Sequence, residues 1–592
     1  MSKPKKILND PKTAVDEFIA GLLLQYPNRL VKLANHHVVL AADPPKDKIQ
    51  LLSGGGSGHE PSHAGWIGRG MLSGVICGGI FASPSVSSIL AAIRASAATN
   101  DNHGCLLVVK NYTGDRLNFG MACEMANQEG IPCRMVVVAD DCALPRTKGI
   151  TGARGVAGTV LVHKIAGAAA KMGKTMDSIV DIVEEVTMCM GSLGVSLDSV
   201  TIPGAECVNN RLDENTIEIG LGIHGEAGMK QSPLMTAQEI AQEMIGTILN
   251  YGRIVKGATE DPTPTIVPMF EANEELAILV NNLGGTSNFE MSILANSCVQ
   301  ILEKDYGCKV TRVLVGSFMT SFNMHGASLT ILNLSQVSPE IISLLDDDCD
   351  APAWSQVDIW HTDSRPSATE RPEVPLVDKD LTAQIPLPTL LIENFESTAK
   401  ALVLKAAQSL AAEEAQLTKY DTIVGDGDCG ITMKRGAMEV EKRLQDGSLL
   451  TSHPVQLYAG LADAVSASMG GTSGVLLELM FRKMSSSLSS CSSIDIAELC
   501  QAFQHGVNAI KLYGGASIGS RTMLDAMIPA AATLVATKDI QEAARAAKIG
   551  ADGTSEMKTA SAGRSNYLSE DQLQGTPDPG AVAVSIVLGA LQ

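Results

Sequence analysis

Three glycine-framed groups in the first half of the chain carry side chains suited to acid–base or nucleophilic chemistry on a small polar molecule. Residues 53–65 read Ser53-Gly54-Gly55-Gly56-Ser57-Gly58-His59-Glu60-Pro61-Ser62-His63-Ala64-Gly65. A backbone this poor in side chains lets amides approach a ligand closely, and His59 adds an imidazole. Lys110-Asn111-Tyr112-Thr113-Gly114-Asp115 supplies an ammonium and a carboxylate, and Gly222-Ile223-His224-Gly225-Glu226 a second imidazole. Taken singly, Lys110 reads as an exposed cap, Asp115 as a turn residue and His224 as a hydrogen-bonded loop histidine. Together, each after a strand-like run, the three loops predict one acid–base site.

The second half carries a different constellation, Tyr420-Asp421-Thr422-Ile423-Val424-Gly425-Asp426-Gly427-Asp428-Cys429-Gly430. Gly425 and Gly427 argue against a sustained helix, so the acidic residues are expected on a turn between helices. Three carboxylates this close repel one another unless a hard cation lies among them, and oxygen-only ligation points to magnesium. The calcium EF-hand is excluded because its closing glutamate is missing. Gly470-Gly471-Thr472-Ser473-Gly474 opens into an apolar helical run. It reads equally as a phosphate site at a helix amino end or as a plain capping turn.

Two apparent nucleotide motifs do not hold. Gly220-Leu221-Gly222-Ile223-His224-Gly225 follows a strand-like Thr216–Ile219 but is expected to continue as loop over 226–233, whereas a dinucleotide site opens a helix at once. Gly173-Lys174-Thr175 lacks the upstream glycine of a phosphate loop and sits in a helical context, with Lys174 expected on the surface.

The elements that must position these residues divide the chain. Over roughly residues 10–345, apolar runs of buried-strand length (105–109, 135–138 and 313–318) alternate with helical stretches (158–172 and 237–250), an α/β pattern with covered sheets. Residues 346–392 are acidic and proline-rich, as a linker or extended arm would be. Residues 393–592 are rich in Ala, Leu and Met at helical spacing, with helices expected over 398–416, 455–469, 493–512 and 540–562.

The bulk numbers bound the partners. At 592 residues the chain exceeds one core, and the length prior suggests roughly three or four folding units. A net charge of −20 argues against nucleic acid and anionic membranes. Thirteen cysteines without CxxC or CxxH spacing argue against a zinc site or disulfide framework. The basic start leads into Asp10 and Pro11 rather than an apolar stretch, and no run of about 18 apolar residues appears. A cytoplasmic location without signal peptide or membrane span is therefore expected.

These motifs, with Arg521-Thr522-Met523-Leu524-Asp525 and Asp578-Pro579-Gly580-Ala581, occur in one order along nearly the whole chain. In that respect the sequence resembles the single-chain ATP-dependent dihydroxyacetone kinases, the triokinase/FMN cyclase family of animals. The resemblance implies an α/β dihydroxyacetone-binding module of two subdomains joined to an all-α helical barrel that binds ATP. It implies that His224 adds to the ketone carbon as a covalent hemiaminal, with Asp115 as general base and His59 and Lys110 on the bound ketone. Gly56, Ser57 and Gly58 would wall the pocket. Asp421, Asp426 and Asp428 would hold two magnesium ions on the ATP phosphates. Gly427 and Cys429 would flank the nucleotide and Gly471, Thr472 and Ser473 would cradle phosphate. Arg521, Asp578, Pro579 and Gly580 would line the rest of that site.

The resemblance further implies phosphorylation of dihydroxyacetone and D-glyceraldehyde, and a homodimer in which each ATP domain faces the partner's substrate domain. As the alternative it implies cleavage of FAD to AMP and cyclic FMN at the same nucleotide site, with Mn2+ or Co2+ open as that reaction's ion. Two positions depart from the family pattern. Ser520 stands where Asp is expected in Gly-Asp-Arg-Thr-Met, and Cys429 where the phosphotransferase-fed bacterial relatives carry histidine.

Overall fold

A computed structural model describes residues 5–146, 152–205, 212–255, 265–354, 386–562 and 564–592. The chain forms two compact units divided between Arg371 and Pro372. Most of the proline-rich stretch, 355–385, lies outside the described residues.

The first unit holds two six-stranded sheets. One consists of β1 (Leu30–Lys32), β2 (Val38–Ala41), β3 (Gln50–Ser57), β4 (Gly74–Ile80), β5 (Cys105–Lys110) and β6 (Cys133–Val138), in the order β1-β2-β4-β3-β5-β6. β3 runs parallel to both β4 and β5, and β5 to β6. The second comprises β7 (Met190–Ser196), β8 (Thr216–Ile219), β9 (Lys230–Pro233), β12 (Glu275–Asn282), β13 (Lys309–Gly316) and β14 (Gly326–Asn333), ordered β13-β12-β14-β7-β8-β9. β10 (Arg253–Val255) and β11 (Thr265–Val267) pair separately.

Helices cover both sheets. α2 (Val86–Thr99) and α3 (Thr113–Gln128) pack Ile89, Ile93 and Phe119 on Leu52, Ile76 and Leu107. Each such buried side chain contributes about 1.5–3 kcal/mol. α4 (Thr159–Lys171), α5 (Met176–Met188) and α8 (Pro339–Asp346) share one core with residues of both sheets, Leu51 and Val108 from the first and Ala277 and Leu332 from the second. α1 (Ala14–Gln25) joins that core, while α6 (Ala237–Tyr251) and α7 (Asn288–Lys304) cover the far face of the second sheet. A helix held between two sheets has no solvent face, which is why α4 is buried all round, His163 and Lys164 included.

Several expectations need correction. Ser53–Ser57 is not a loop but the end of β3, and the turn begins at Gly58. The glycines are needed because the neighbours press on the strand: a Cβ on Gly54 would lie 2.3 Å from the Ile76 carbonyl oxygen. Residues 230–233 are a strand, β9, antiparallel to β8, so the false dinucleotide motif closes a hairpin-like turn rather than opening a longer loop. Lys174 sits in the turn between α4 and α5 and pairs with Glu340 at 2.6 Å.

The second unit is helical, with helices Phe395–Ala412, Glu414–Val424, Cys429–Gln445, Pro454–Ser468, Gly471–Ser489, Ile496–Gly514, Leu524–Thr537, Ile540–Gly553, Glu570–Leu573 and Pro579–Ala590. The helix expected over 398–416 breaks at Glu413, and that expected over 540–562 ends at Gly553. Residues 493–494 are strand, not helix: β15 (Thr389–Leu390) and β16 (Ser493–Ile494) pair in parallel, so the end of the proline-rich arm belongs to this unit. Helices adjacent in sequence pack together, and the first long helix meets the last, so the unit closes on itself around apolar side chains. Among the described residues no helix is long and apolar enough to cross a membrane.

Candidate active site

In the first sheet the chain leaves β3 toward β4 on one side and returns to β5 on the other, so the carboxyl ends of β3 and β5 flank a crevice where such sheets bind ligands. β3 delivers Gly56, Ser57, Gly58 and His59 to that edge, and β5 delivers Lys110. Asp115 lies in the first turn of α3, where the helix dipole favours an anion. His224 enters from the turn between β8 and β9 of the other sheet. Tertiary folding thus brings all four together.

His59 is fully buried, and its Nδ1–H donates to the Thr320 carbonyl at 2.8 Å. That bond leaves Nε2 as an acceptor, and no protein group partners it. Burial, with the fields of Lys110 and His224, holds this imidazole well below its ordinary range, so it is neutral. Its ring stacks on Phe81 at 4.9 Å and meets the His224 ring edge-on at 4.8 Å. Gly58 adopts φ +115°, and a Cβ there would strike Phe322 at 2.5 Å. The Ser57 hydroxyl donates to the Gly78 carbonyl, so it braces the strand end.

The His224 Nδ1–H donates to Glu226 Oε1 at 2.8 Å, and the His224 backbone N–H donates to the other carboxylate oxygen at 3.0 Å. In the neutral ring this bond places the proton on Nδ1 and makes Nε2 the acceptor. Burial pushes the Glu226 carboxyl up, but the His224 bonds outweigh it and bring it down to about 2. Lys110 is buried with no hydrogen-bond partner on its Nζ, which lies 5.5 Å from the Tyr112 ring centre. Burial lowers its ammonium, opposed by Asp115, Glu226, Asp140 and Glu60. Lys110 and Asp115 converge on Gly55, where a Cβ would touch both at about 3.5 Å. Ser83 donates its hydroxyl to Asp115.

Orphaned polar atoms therefore belong to His59 and Tyr112, whose rings meet that of His224, and to Lys110 beside the Tyr112 ring. Buried polar groups seek partners, and a polyol or hydroxyketone would supply them. Phe81, Ser83 and Glu226 were not predicted as site residues. Glu226 was visible in its motif, whereas Phe81 and Ser83 reach the site only because β4 lies beside β3.

In the second unit the ligand oxygens of Asp421, Asp426 and Asp428 lie within 4.8 Å of one another. Asp421 is not on a turn as expected; it sits on the helix Glu414–Val424, and its Oδ2 accepts the Asp428 and Cys429 N–H groups at 2.8 and 2.9 Å. Asp426 and Asp428 occupy the intervening turn, with Gly427 at φ +81°. The donor set, three carboxylates and no nitrogen or sulfur ligand, fits a hard cation such as Mg2+. Burial, aided by Asp421, Asp578, Asp428 and Asp426, pushes the Cys429 thiol up to about 12, so it stays neutral beside them.

Asp578 caps the helix Pro579–Ala590 by accepting the Ala581 N–H, and burial raises its carboxyl to about 6. Its field is shared with Arg521, Asp525 and Asp421. Gly580 packs on the Asp578 carboxylate, where a Cβ would sit 3.2 Å from Oδ1. Arg521 is fully buried at φ +59°; one guanidinium nitrogen donates to the Thr576 carbonyl at 2.5 Å, while Nε and Nη1 have no partner. Asp525 was quoted in its motif without a role; it accepts the Gly519 and Thr522 N–H groups and so shapes the loop before Arg521. Ser520 accepts the Ser517 N–H through its hydroxyl and supplies no carboxylate. Gly471, Thr472 and Ser473 form the first turn of the helix Gly471–Ser489.

Residues 20–353 match the Dak1 domain and residues 423–592 the DAK2 domain. The chain belongs to the dihydroxyacetone kinase family. It is 40% identical over 598 residues to the human triokinase/FMN cyclase, covering 99% of this chain and 98% of that protein. It is 39% identical over 609 residues to a putative 3,4-dihydroxy-2-butanone kinase of Solanum lycopersicum, covering 98% and 96%. Among solved structures, this family member is similar to the dihydroxyacetone kinase of C. freundii bound to AMP-PNP and Mg2+, with a TM-score of 0.69, 32% identity and 99% of both chains covered. The native form of that enzyme gives a TM-score of 0.70 at 31% identity, again over 99% of both chains.

Proposed function

We propose that the chain transfers the γ-phosphoryl group of ATP to dihydroxyacetone, and also to D-glyceraldehyde, giving the triose phosphate and ADP. In this reading residues 10–345 bind the ketone, 346–392 link, and 393–592 hold the nucleotide. The observation that carries it is the imidazole of His224, held at Nδ1 by Glu226, with its ring beside that of His59, whose Nε2 has no partner.

The Nε2 lone pair adds to the carbonyl carbon, a C–N bond forms, and the π pair moves to oxygen, which takes a proton from the Lys110 ammonium. Glu226 meets the positive charge left on the imidazole. His59, through its bare Nε2, accepts a hydrogen bond from a substrate hydroxyl and orients the adduct. Asp115 then takes the proton of the terminal hydroxyl as its oxygen attacks phosphorus and ADP leaves. Reversal of the addition frees the product and returns the proton to Lys110. Glycerol, with no carbonyl, is not captured.

Asp421, Asp426 and Asp428 would hold Mg2+, which, when bound with ATP, neutralises charge on the phosphates. Arg521 offers its two free donors, Gly471–Ser473 their helix amino end, and Asp578–Gly580 and Cys429 the remaining wall. A homodimer that pairs each ATP module with the partner's substrate module completes the reading.

A second reading, FAD cleavage to AMP and cyclic FMN, is favoured by the name FMN cyclase carried by the human relative. It uses the acidic cluster, with Mn2+ or Co2+ as candidate ions, and does not use His224. The test is His224→Ala assayed for ADP release with dihydroxyacetone, glyceraldehyde, glycerol or no acceptor, and for FAD cleavage. Loss of phosphorylation with FAD cleavage retained is expected. Equal ADP release from all four acceptor conditions by the unaltered chain overturns the kinase reading, and loss of both activities in the variant overturns the division of sites.

A further inference from the structure

Gly152-Ala153-Arg154-Gly155-Val156-Ala157-Gly158, between β6 and α4, belongs to no motif assigned above. Its arginine is buried, and every edge of the guanidinium is directed at something specific. Nε donates to Asp141 Oδ2 at 2.5 Å, and Nη2 donates to the Gly220 carbonyl at 2.7 Å. Asp141 returns its backbone N–H to the Arg154 carbonyl at 3.1 Å and bridges Ser192 of β7, so this clasp sits where the two sheets meet. Gly155 makes the approach feasible, since a Cβ there would lie 2.5 Å from the Val138 carbonyl oxygen.

The remaining edge, Nη1, points at the His224 turn. A Cβ on Gly222 would lie 2.6 Å from Arg154 Nη1 and 2.0 Å from Glu226 Oε2. The guanidinium and the carboxylate therefore face each other within about 4.6 Å, the sum of those two distances, with the missing side chain of Gly222 between them. Glu226 in turn holds both the ring and the backbone of His224. The result is one line from the first sheet to the reacting imidazole: Asp141, Arg154, Glu226, His224. The other groups facing His224 are Tyr112 and Phe81, edge-on at 4.7 and 5.1 Å, and His59, with Lys110 beyond the Tyr112 ring.

We infer that Arg154 is a positioning residue for ketone capture, its positive charge facing Glu226 across Gly222 and offsetting the carboxylate that orients His224. This rests on the reading of His224 as the group that bonds to the ketone. A carboxylate alone beside an imidazole favours the protonated ring, which has no lone pair to donate. A cation on the far side of that carboxylate moderates the effect, and its hydrogen bonds to Asp141 and Gly220 keep that charge fixed in place. Gly222 belongs to the same device, because any side chain there would separate the charges.

The test uses the full chain with dihydroxyacetone and MgATP, comparing Arg154→Met, Arg154→Lys, Gly222→Ala and His224→Gln. Arg154→Met should raise KM for dihydroxyacetone by about 10–100-fold and leave KM for ATP unchanged. It should also move the acidic limb of the kcat/KM profile to higher pH. Gly222→Ala, which keeps the arginine, should show the same two changes, and Arg154→Lys a smaller version of both. Guanidinium ion added to Arg154→Ala at millimolar concentration should recover part of the activity; if Arg154→Met does not fold, Gly222→Ala and Arg154→Lys carry the same readouts. Unchanged KM and pH profile in the arginine and glycine variants, with His224→Gln inactive, overturns the role of Arg154 and leaves that of His224 standing. Full activity in His224→Gln overturns the underlying reading instead.

Discussion

Asp428→Asn should make the metal-free nucleotide unit more stable and at the same time abolish its response to Mg2+. Asp428 lies within 4.8 Å of both Asp421 and Asp426 through their ligand oxygens. Two like charges at that distance repel by about 0.9 kcal/mol even at the dielectric constant of water, and by about 3.5 kcal/mol at an effective value of 20. Asp428 is exposed, so the lower figure applies, and two pairs give about 2 kcal/mol. Salt weakens but does not erase this, since the Debye length near 8–10 Å exceeds the separation. Against it stands the loss of a negative charge at the start of the helix Cys429–Gln445, worth about 0.3–1 kcal/mol. Asparagine is an equal N-cap, and the Asp428 side chain makes no capping hydrogen bond. The net expectation is a gain of about 1 kcal/mol without metal.

Hydrogen–deuterium exchange over residues 421–445 of the full chain reads this locally. In the unaltered chain, Mg2+ at a hundred times its dissociation constant should slow exchange by an amount equivalent to about 2.7 kcal/mol. In Asp428→Asn, exchange without Mg2+ should already be slower than in the parent, and Mg2+ should add nothing. Faster exchange in the metal-free variant, or a preserved Mg2+ effect, would refute the reasoning that the three carboxylates form one cation site.

The buried imidazole of His163, held down to about 3 by burial and the field of Lys110, predicts an acid-dependent stability. The unfolded chain protonates this residue below about 6.5 and the folded one does not, so its contribution is intact above that pH and declines as pH falls toward 3. Between pH 7.5 and 5.0 the urea stability of the first unit should fall about 2 kcal/mol more in the parent than in His163→Gln, and an equal fall in both would refute it. Trp66, Trp354 and Trp360 all precede residue 371, so tryptophan fluorescence follows this unit alone. The proposed crossing of modules predicts complementation. Mixed and re-equilibrated His224→Ala and Asp426→Asn chains, each inactive alone, should regain about one quarter of parental kinase activity, because half the dimers are mixed and each has one intact pair of modules. No recovery in demonstrably mixed dimers would place both halves of a working site in one chain.

Much of the chemistry was legible because short motifs carry it locally. Asp421, Asp426 and Asp428 are near neighbours in sequence, and carboxylates so spaced form a donor set suited to a hard cation. The apolar runs of β5 and β6 have the length and continuity of strands in a covered sheet. The elements misread were those whose form depends on distant neighbours. Ser53–Ser57 looks like a loop by composition, yet β4 pairs along it as far as Ser57 and β5 as far as Ser53, which makes it the end of a central strand. Residues 230–233 become strand only because β8 lies alongside.

By itself, then, the order of residues determined the α/β and helical halves and the family, and marked the candidate reactive groups, since composition, periodicity and motif spacing are local properties. Tertiary structure decided what those groups can do. A hydrogen bond from His59 to Thr320, 261 positions away, sets which nitrogen of that ring is bare. Meeting of the two sheets brings His224 against His59, and Arg154 behind Glu226, from segments no sequence window spans. Protonation state, tautomer and orientation follow from burial and from partners far along the chain, and these come into being only when the chain has folded.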